Sequence, residues 1–278
     1  MFGIVLMTIG VTLEEAATSI GKFELRKRVE TPFAYGLLTS TAVLAVFLLS
    51  AAVRWDQQIF RWESLPTLAI RAVLEVVLAV GVIHAIKQAD RSTFGFLRTL
   101  TIPFLLIVDL VLAYHIDPYQ ITGMTLIVSA LFLLFINHGF SKHGAWLTAG
   151  TALLAVATTS LYKYNITHFN SPEVEQVIMQ TVLITFFIVM GFTMERKNPF
   201  RLFRIRACLM QAGLMGVGSV LGALSFLYAA PSVLMSVKRS VGIFEAIISG
   251  RAVFHEKRTA LKVSAGVLTV AGFILLLL

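Results

Sequence analysis

Apolar stretches of about twenty residues, each long enough to cross a bilayer as a helix, follow one another along this chain with short breaks between them. Hydrocarbon offers a backbone no hydrogen-bond partners, so such stretches can only be helices or closed barrels. The apolar runs are unbroken rather than alternating, which selects helices. Spans are expected over 2–21, 32–53, 66–86, 92–113, 118–137, 144–162, 174–194, 206–228, 231–250 and 260–278. The expected fold class is therefore an all-α integral membrane protein of ten transmembrane helices, multi-pass in the cell membrane with lipid as its surroundings.

Composition removes the competing classes. Hydrophobic residues make up 57% of the chain and charged ones 14%, against roughly 25% charged in a soluble domain. A water-soluble globule could not bury that much apolar surface. The single cysteine, Cys208, excludes an internal disulfide scaffold. The net charge of +8 is expected from loops facing the cytoplasm and anionic lipid, not from nucleic-acid binding. Pro32, Pro66, Pro118 and Pro231 stand near span starts, where proline is tolerated. Pro103 lies deep in a span, and a kink is expected there.

Lysine and arginine are unevenly spread over the loops. The odd-numbered loops hold sixteen and the even-numbered loops three, namely Arg54, Arg61 and Lys163. The positive-inside bias then makes the odd loops cytoplasmic, and with ten spans both termini face outward.

Two stretches resemble each other: Gln88–Gly123 and Ala229–Gly266. At an offset of 141 residues Ala89 matches Ala230 and Arg98 matches Arg239; at 143, Gly123 matches Gly266. The matches fall at corresponding places in spans three to five and eight to ten. Halves with five spans each, 1–138 and 139–278, must be inverted relative to one another, a plan common in secondary transporters.

The segment APSVLMSVKRSVGIFEAIISGRAVFHEKRTALKVSAGVLTVAGFILLL resembles the last two helices of the EamA family of the drug/metabolite transporter superfamily. It has a proline-led span, Lys-Arg early in that span, a Phe-x-Glu-Lys turn and a glycine-rich final helix. Lys22 after the first span is similar to a lysine many members carry there. The resemblance implies ten helices in two inverted five-helix repeats around a central cavity, and transport of a small organic molecule. Two features depart from it. Ala113 stands in the first half where Glu256 stands in the second, and family members usually keep their termini in the cytoplasm, against the charge count.

A charge within the bilayer costs on the order of 2.5–3.5 kcal/mol on insertion scales, so it should face the bundle interior and have a partner. Glu14, Glu15, Arg71, Glu75, Arg98, Asp109, Lys238, Arg239 and Glu245 are in that position. One reading makes them structural ion pairs and snorkelling ends. The other makes some of them line a substrate cavity: Glu15, Ser19, Glu75, Arg98, Lys238, Arg239 and Glu245. On the first span Thr8, Thr12, Glu15, Ser19 and Lys22 form a polar stripe at helical spacing, which cannot face lipid. Arg71 and Glu75 are one turn apart and suited to pair. Arg98 and Asp109 share a face but lie too far apart to pair, so each needs a partner elsewhere. Arg98 and Arg239, at matching repeat positions, could offer two guanidinium groups to a carboxylate or phosphate. Gly213, Gly216, Gly218 and Gly222 thin the eighth helix on one side, and Gly218 with Gly222 makes a GxxxG step for close packing.

Signatures of other chemistry are missing. No HExxH, Walker A or GxGxxG sequence is present, so no metal and no cofactor is expected, and no enzymatic activity. The expected function is alternating-access transport of a small organic metabolite by a secondary transporter, an exporter or exchanger. A coupling proton would bind a membrane carboxylate such as Glu15. A flippase for a lipid-linked headgroup and an integral membrane enzyme acting on lipid are the alternatives.

Overall fold

The computed structural model describes residues 1–25, 32–88, 97–136, 144–194, 196, 198–241 and 260–277. Among them there is no strand. The helices are α1 (Phe2–Leu25), α2 (Pro32–Val53), α3 (Leu65–Gln88), α4 (Thr101–Val111), α5 (Pro118–Ile136), α6 (Ala145–His168), α7 (Pro172–Thr193), α8 (Arg206–Ser225), α9 (231–241) and α10 (Ala260–Leu277). Five are long and apolar enough to cross a membrane: Pro32–Val53, Trp62–Ala85, Ala145–His168, Pro172–Thr193 and Arg206–Ser225. Large apolar side chains such as Leu49, Val73, Val111 and Phe192 stand exposed on helices, which suits a lipid solvent and not water. The chain is an all-α membrane protein.

Packing divides the chain into two compact units. One comprises Met1–Thr8, Val77–Ser160 and Tyr228–Leu278, the other Ile9–Val76 and Leu161–Leu227. This division crosses the sequence boundary at 138/139, since each unit draws residues from both halves. In the first unit α5 packs along α10 at a glycine contact: a Cβ built on Gly123 would lie 2.7 Å from the carbonyl oxygen of Gly272, and the reverse holds at the same distance. In the second unit α2 packs against α7 and α8, around a core of Ala34, Leu38, Leu202, Cys208 and Ala212. There α1 meets α8 at Gly10, whose added Cβ would sit 2.7 Å from Gly218 O and 3.0 Å from Gly222 N. The GxxxG step thus brings α1 close. The glycines of α8 do not form one thin side, however. Gly216 faces Ala42 and Val46 of α2, while Gly213 has nothing within 4 Å.

Several boundaries differ from the sequence reading. The sixth span does not stop at 162 but continues to His168, and the connection expected over 163–173 shrinks to 169–171. Lys163 is therefore a helix residue, not a loop charge. The connection between α2 and α3 carries two short 3₁₀ turns, Trp55–Gln57 and Trp62–Ser64, with Trp55 and Trp62 exposed, as befits rings at a membrane interface. Near Pro103 the helical geometry tightens: a 3₁₀ turn over Arg98–Leu100 precedes α4, and Pro103 is the third residue of α4.

Candidate functional site

The second unit holds a buried polar cluster built on the start of α7. Pro172 opens that helix, and Glu173 and Glu175 lie in its first turn, where the helix dipole favours negative charge. Both carboxylates are essentially inaccessible. Such burial requires partners, and the fold supplies them. Arg54 Nη1 lies 2.8 Å from Glu173 Oε1, which also accepts a hydrogen bond from the Ser50 hydroxyl. Arg71 Nη1 lies 2.9 Å from Glu175 Oε1. Asn165 donates to the same oxygen at 2.8 Å, and Asn170 donates to Glu175 Oε2 at 2.8 Å. The Arg71 guanidinium stacks over the Tyr162 ring, 4.6 Å from its centroid, a favourable cation–π arrangement.

The pairing of Arg71 with Glu75 foreseen from their spacing is present, but at 3.6 Å it is the looser of the two contacts Arg71 makes. Its tighter partner, Glu175, lies 104 residues away. The end of α8 is tied into the same region: Tyr162 donates to the carbonyl of Ala223, and the Lys163 ammonium to that of Phe226, satisfying helix-end acceptors that lipid would leave bare.

The extended stretch 58–61 is bonded along one edge to the α6–α7 connection. Ser171 N–H donates to Ile59 O at 2.9 Å, Arg61 N–H to the Asn170 side-chain oxygen at 3.1 Å, and Ser171 Oγ to the Gln58 side chain at 2.9 Å. Ser64 and Asn170 exchange a further bond, and Thr67 donates to Asn165 at 2.6 Å. A depression of about 290 Å³ beside this stretch is lined by Arg54, Arg61 and His168 among others.

In the first unit, Asp109 of α4 is fully buried and accepts from the backbone N–H of Ser232 at the start of α9. Farther along α9 the guanidinium of Arg239 reaches the carbonyl oxygen of Arg98 at 3.4 Å. Arg98 and Arg239 are thus spatial neighbours. Lys238 adjoins Arg239 in sequence, and all three are half-buried. Ser232, Ser236 and Ser240 are buried along α9, the last two bonded to carbonyls one turn back.

The remaining expected site residues distribute as follows. Glu15 is half-buried on α1. The carboxylate with a partner on α8 is its neighbour Glu14, which accepts from Ser219 at 3.3 Å and packs on Gly218. Thr12, in the polar stripe, is exposed. The side chains of Ser19 and Lys22, and Glu245 with Glu256, lie outside the described residues. Glu15 and Glu75 belong to the second unit, and Arg98, Lys238 and Arg239 to the first. Sequence reasoning passed over Glu173, Glu175, Asn165 and Asn170. The available signal was a proline-led start with two acidic residues in its first turn.

No family model matches the chain, and neither does any curated protein. A solved structure described as "Crystal structure of protein" has the same fold: the match has a TM-score of 0.76 and covers 98% of this chain and 95% of that chain, at 14% identity. At that identity the likeness is one of fold alone.

Proposed function

We propose that this chain is a secondary transporter of the ten-helix, inverted-repeat plan, resembling the EamA family, which moves a small organic metabolite across the cell membrane by alternating access. The observation that carries this reading is the contact between Arg239 and the carbonyl of Arg98. It brings the backbone at Arg98 beside the side chain of Arg239, with Lys238 adjacent in sequence, so that three cationic residues stand on neighbouring segments. A guanidinium group donates forked hydrogen bonds to a carboxylate or phosphate, which a single amine cannot do. The substrate class that fits is an anionic or zwitterionic metabolite.

The test begins with ligand-dependent thermal shift on the purified protein, screening amino acids, nucleosides, sugar phosphates and polyamines. A true ligand raises the melting temperature with concentration. Transport of the hit in proteoliposomes is then compared between the parent and Arg98→Gln and Arg239→Gln. Each Gln variant should transport at least tenfold more slowly, and Arg→Lys should restore only part of the rate, because lysine keeps the charge but loses the planar fork. Parental rates in both Gln variants would remove the arginines from the site.

A further inference from the structure

The Arg71 cluster contains one cation and two carboxylates, and it treats the two unequally. Glu175 takes the direct contact with Arg71 and two amide donors, and it is inaccessible. Glu75 stands 3.6 Å from the other guanidinium nitrogen, has no further partner among the described residues, and its side chain is 23% exposed. With both carboxylates ionised, one negative charge is left over, and it resides on the less bound and more accessible group. Glu75 is ten residues into α3 from Leu65, about 15 Å along the helix, roughly the middle of a hydrocarbon core ~30 Å thick. A bare carboxylate does not persist at that depth against lipid. Either a proton neutralises it or water reaches it.

We propose that Glu75 is a reversible proton-binding site of this protein, set beside the tightly held Arg71–Glu175 pair. A hydronium ion at the exposed side of Glu75 transfers its proton to a carboxylate oxygen, forming an O–H bond and leaving water, and the cluster becomes neutral. Release is the reverse. The charged and titratable groups around it on the packed helices make these contacts. From α6, Tyr162 lies under the Arg71 guanidinium, and the Lys163 ammonium is bonded to the carbonyl of Phe226. From α7, Glu173 is matched by Arg54. On α3 itself, the nearest cation is Arg71.

Infrared difference spectroscopy on the full chain in lipid vesicles, stepped through pH without substrate, tests this apart from the arginine reading. A protonated-carboxyl band is expected to rise as pH falls, to vanish in Glu75→Gln, and to return at a changed frequency in Glu75→Asp. Glu175→Gln, which leaves Arg71 to Glu75 alone, should change the pH at which the band rises. A band of parental size in Glu75→Gln overturns the proposal. So does the absence of any such band in the parent at every pH where circular dichroism shows intact helices.

Discussion

The carboxylate of Asp109 holds the backbone N–H of Ser232 at 2.7 Å, across 123 residues of chain. A side chain from α4 thereby caps the first turn of α9, where free N–H groups and the positive end of the helix dipole await an anion. Arg98, three turns before Asp109 on the same segment, meets Arg239 about two turns into α9. The two segments are thus joined at both ends, by an acid at the start of α9 and by a backbone carbonyl further along.

Removing the cap has a measurable cost. Asp109→Ala should destabilise the protein by about 2–3 kcal/mol, the value of a charge-assisted bond to a buried donor. Asp109→Asn keeps an acceptor oxygen and should lose about half of that. Thermal unfolding in detergent reads both; equal losses for the two variants would mean the N–H bond is not what Asp109 contributes.

Arg71 and Glu175 form the second testable pair. Glu175→Ala leaves a buried guanidinium short of its main partner and should cost roughly 3–5 kcal/mol, as does the reciprocal Arg71→Ala. The double variant should be markedly less damaged than the sum of the singles. Additive losses in a double-mutant cycle would show that the two groups are not coupled.

Ala113 ends α4 in the left-handed region, at φ 56°. Tyr114 N–H bonds back to Asp109 O and Ala113 N–H to Leu110 O, the pairing of a Schellman end. Alanine carries a steric cost of roughly 1–2 kcal/mol in that conformation. Glycine removes the cost and gives back part of it as unfolded-chain entropy, so Ala113→Gly should raise stability by about 0.5–1 kcal/mol. Ala113→Val should lower it. A melting temperature that falls in the glycine variant contradicts the assignment.

Glycine contacts offer a paired control. Gly272→Ala would push a methyl to 2.7 Å from Gly123 O, with the backbone of Ile127 close behind, and should cost about 1–3 kcal/mol through overpacking. Gly213→Ala meets nothing within 4 Å and should be neutral or slightly stabilising, since alanine is the better helix former. Similar melting temperatures for both variants would show that α5 and α10 are not in close contact.

Orientation is open to a fusion test. Both termini should face away from the cytoplasm, so alkaline phosphatase fused after Leu278 should be active and green fluorescent protein dark. A fluorescent C-terminal fusion reverses the assignment made from the loop charges.

The apolar runs made most helices legible, because length and hydropathy alone decide what can lie in lipid. The Arg71–Glu75 pair was legible too, being local to one helix. What escaped was non-local. Residues 163–168 read Lys-Tyr-Asn-Ile-Thr-His, a polar string resembling a loop. The helix continues through it because Lys163 and Asn165 find partners on Phe226 and Glu175, and no local pattern announces partners ten or sixty residues away. Glu175 was hidden for the same reason. The GxxxG step identified a close contact but not its partner, since nothing local to α8 shows that Gly218 and Gly222 meet Gly10 while Gly216 meets α2.

The stretch 58–61 has an inner edge fully occupied by Asn170 and Ser171, while Trp55 and Trp62 project outward beside it. A stitched loop with outward indoles works as a depth mark. In a bilayer such a mark is expected to set how far the adjoining ends of α2, α3, α6 and α7 sink toward the hydrocarbon. A thinner or thicker bilayer should then leave that end of the four helices at its level and put the mismatch at their opposite ends.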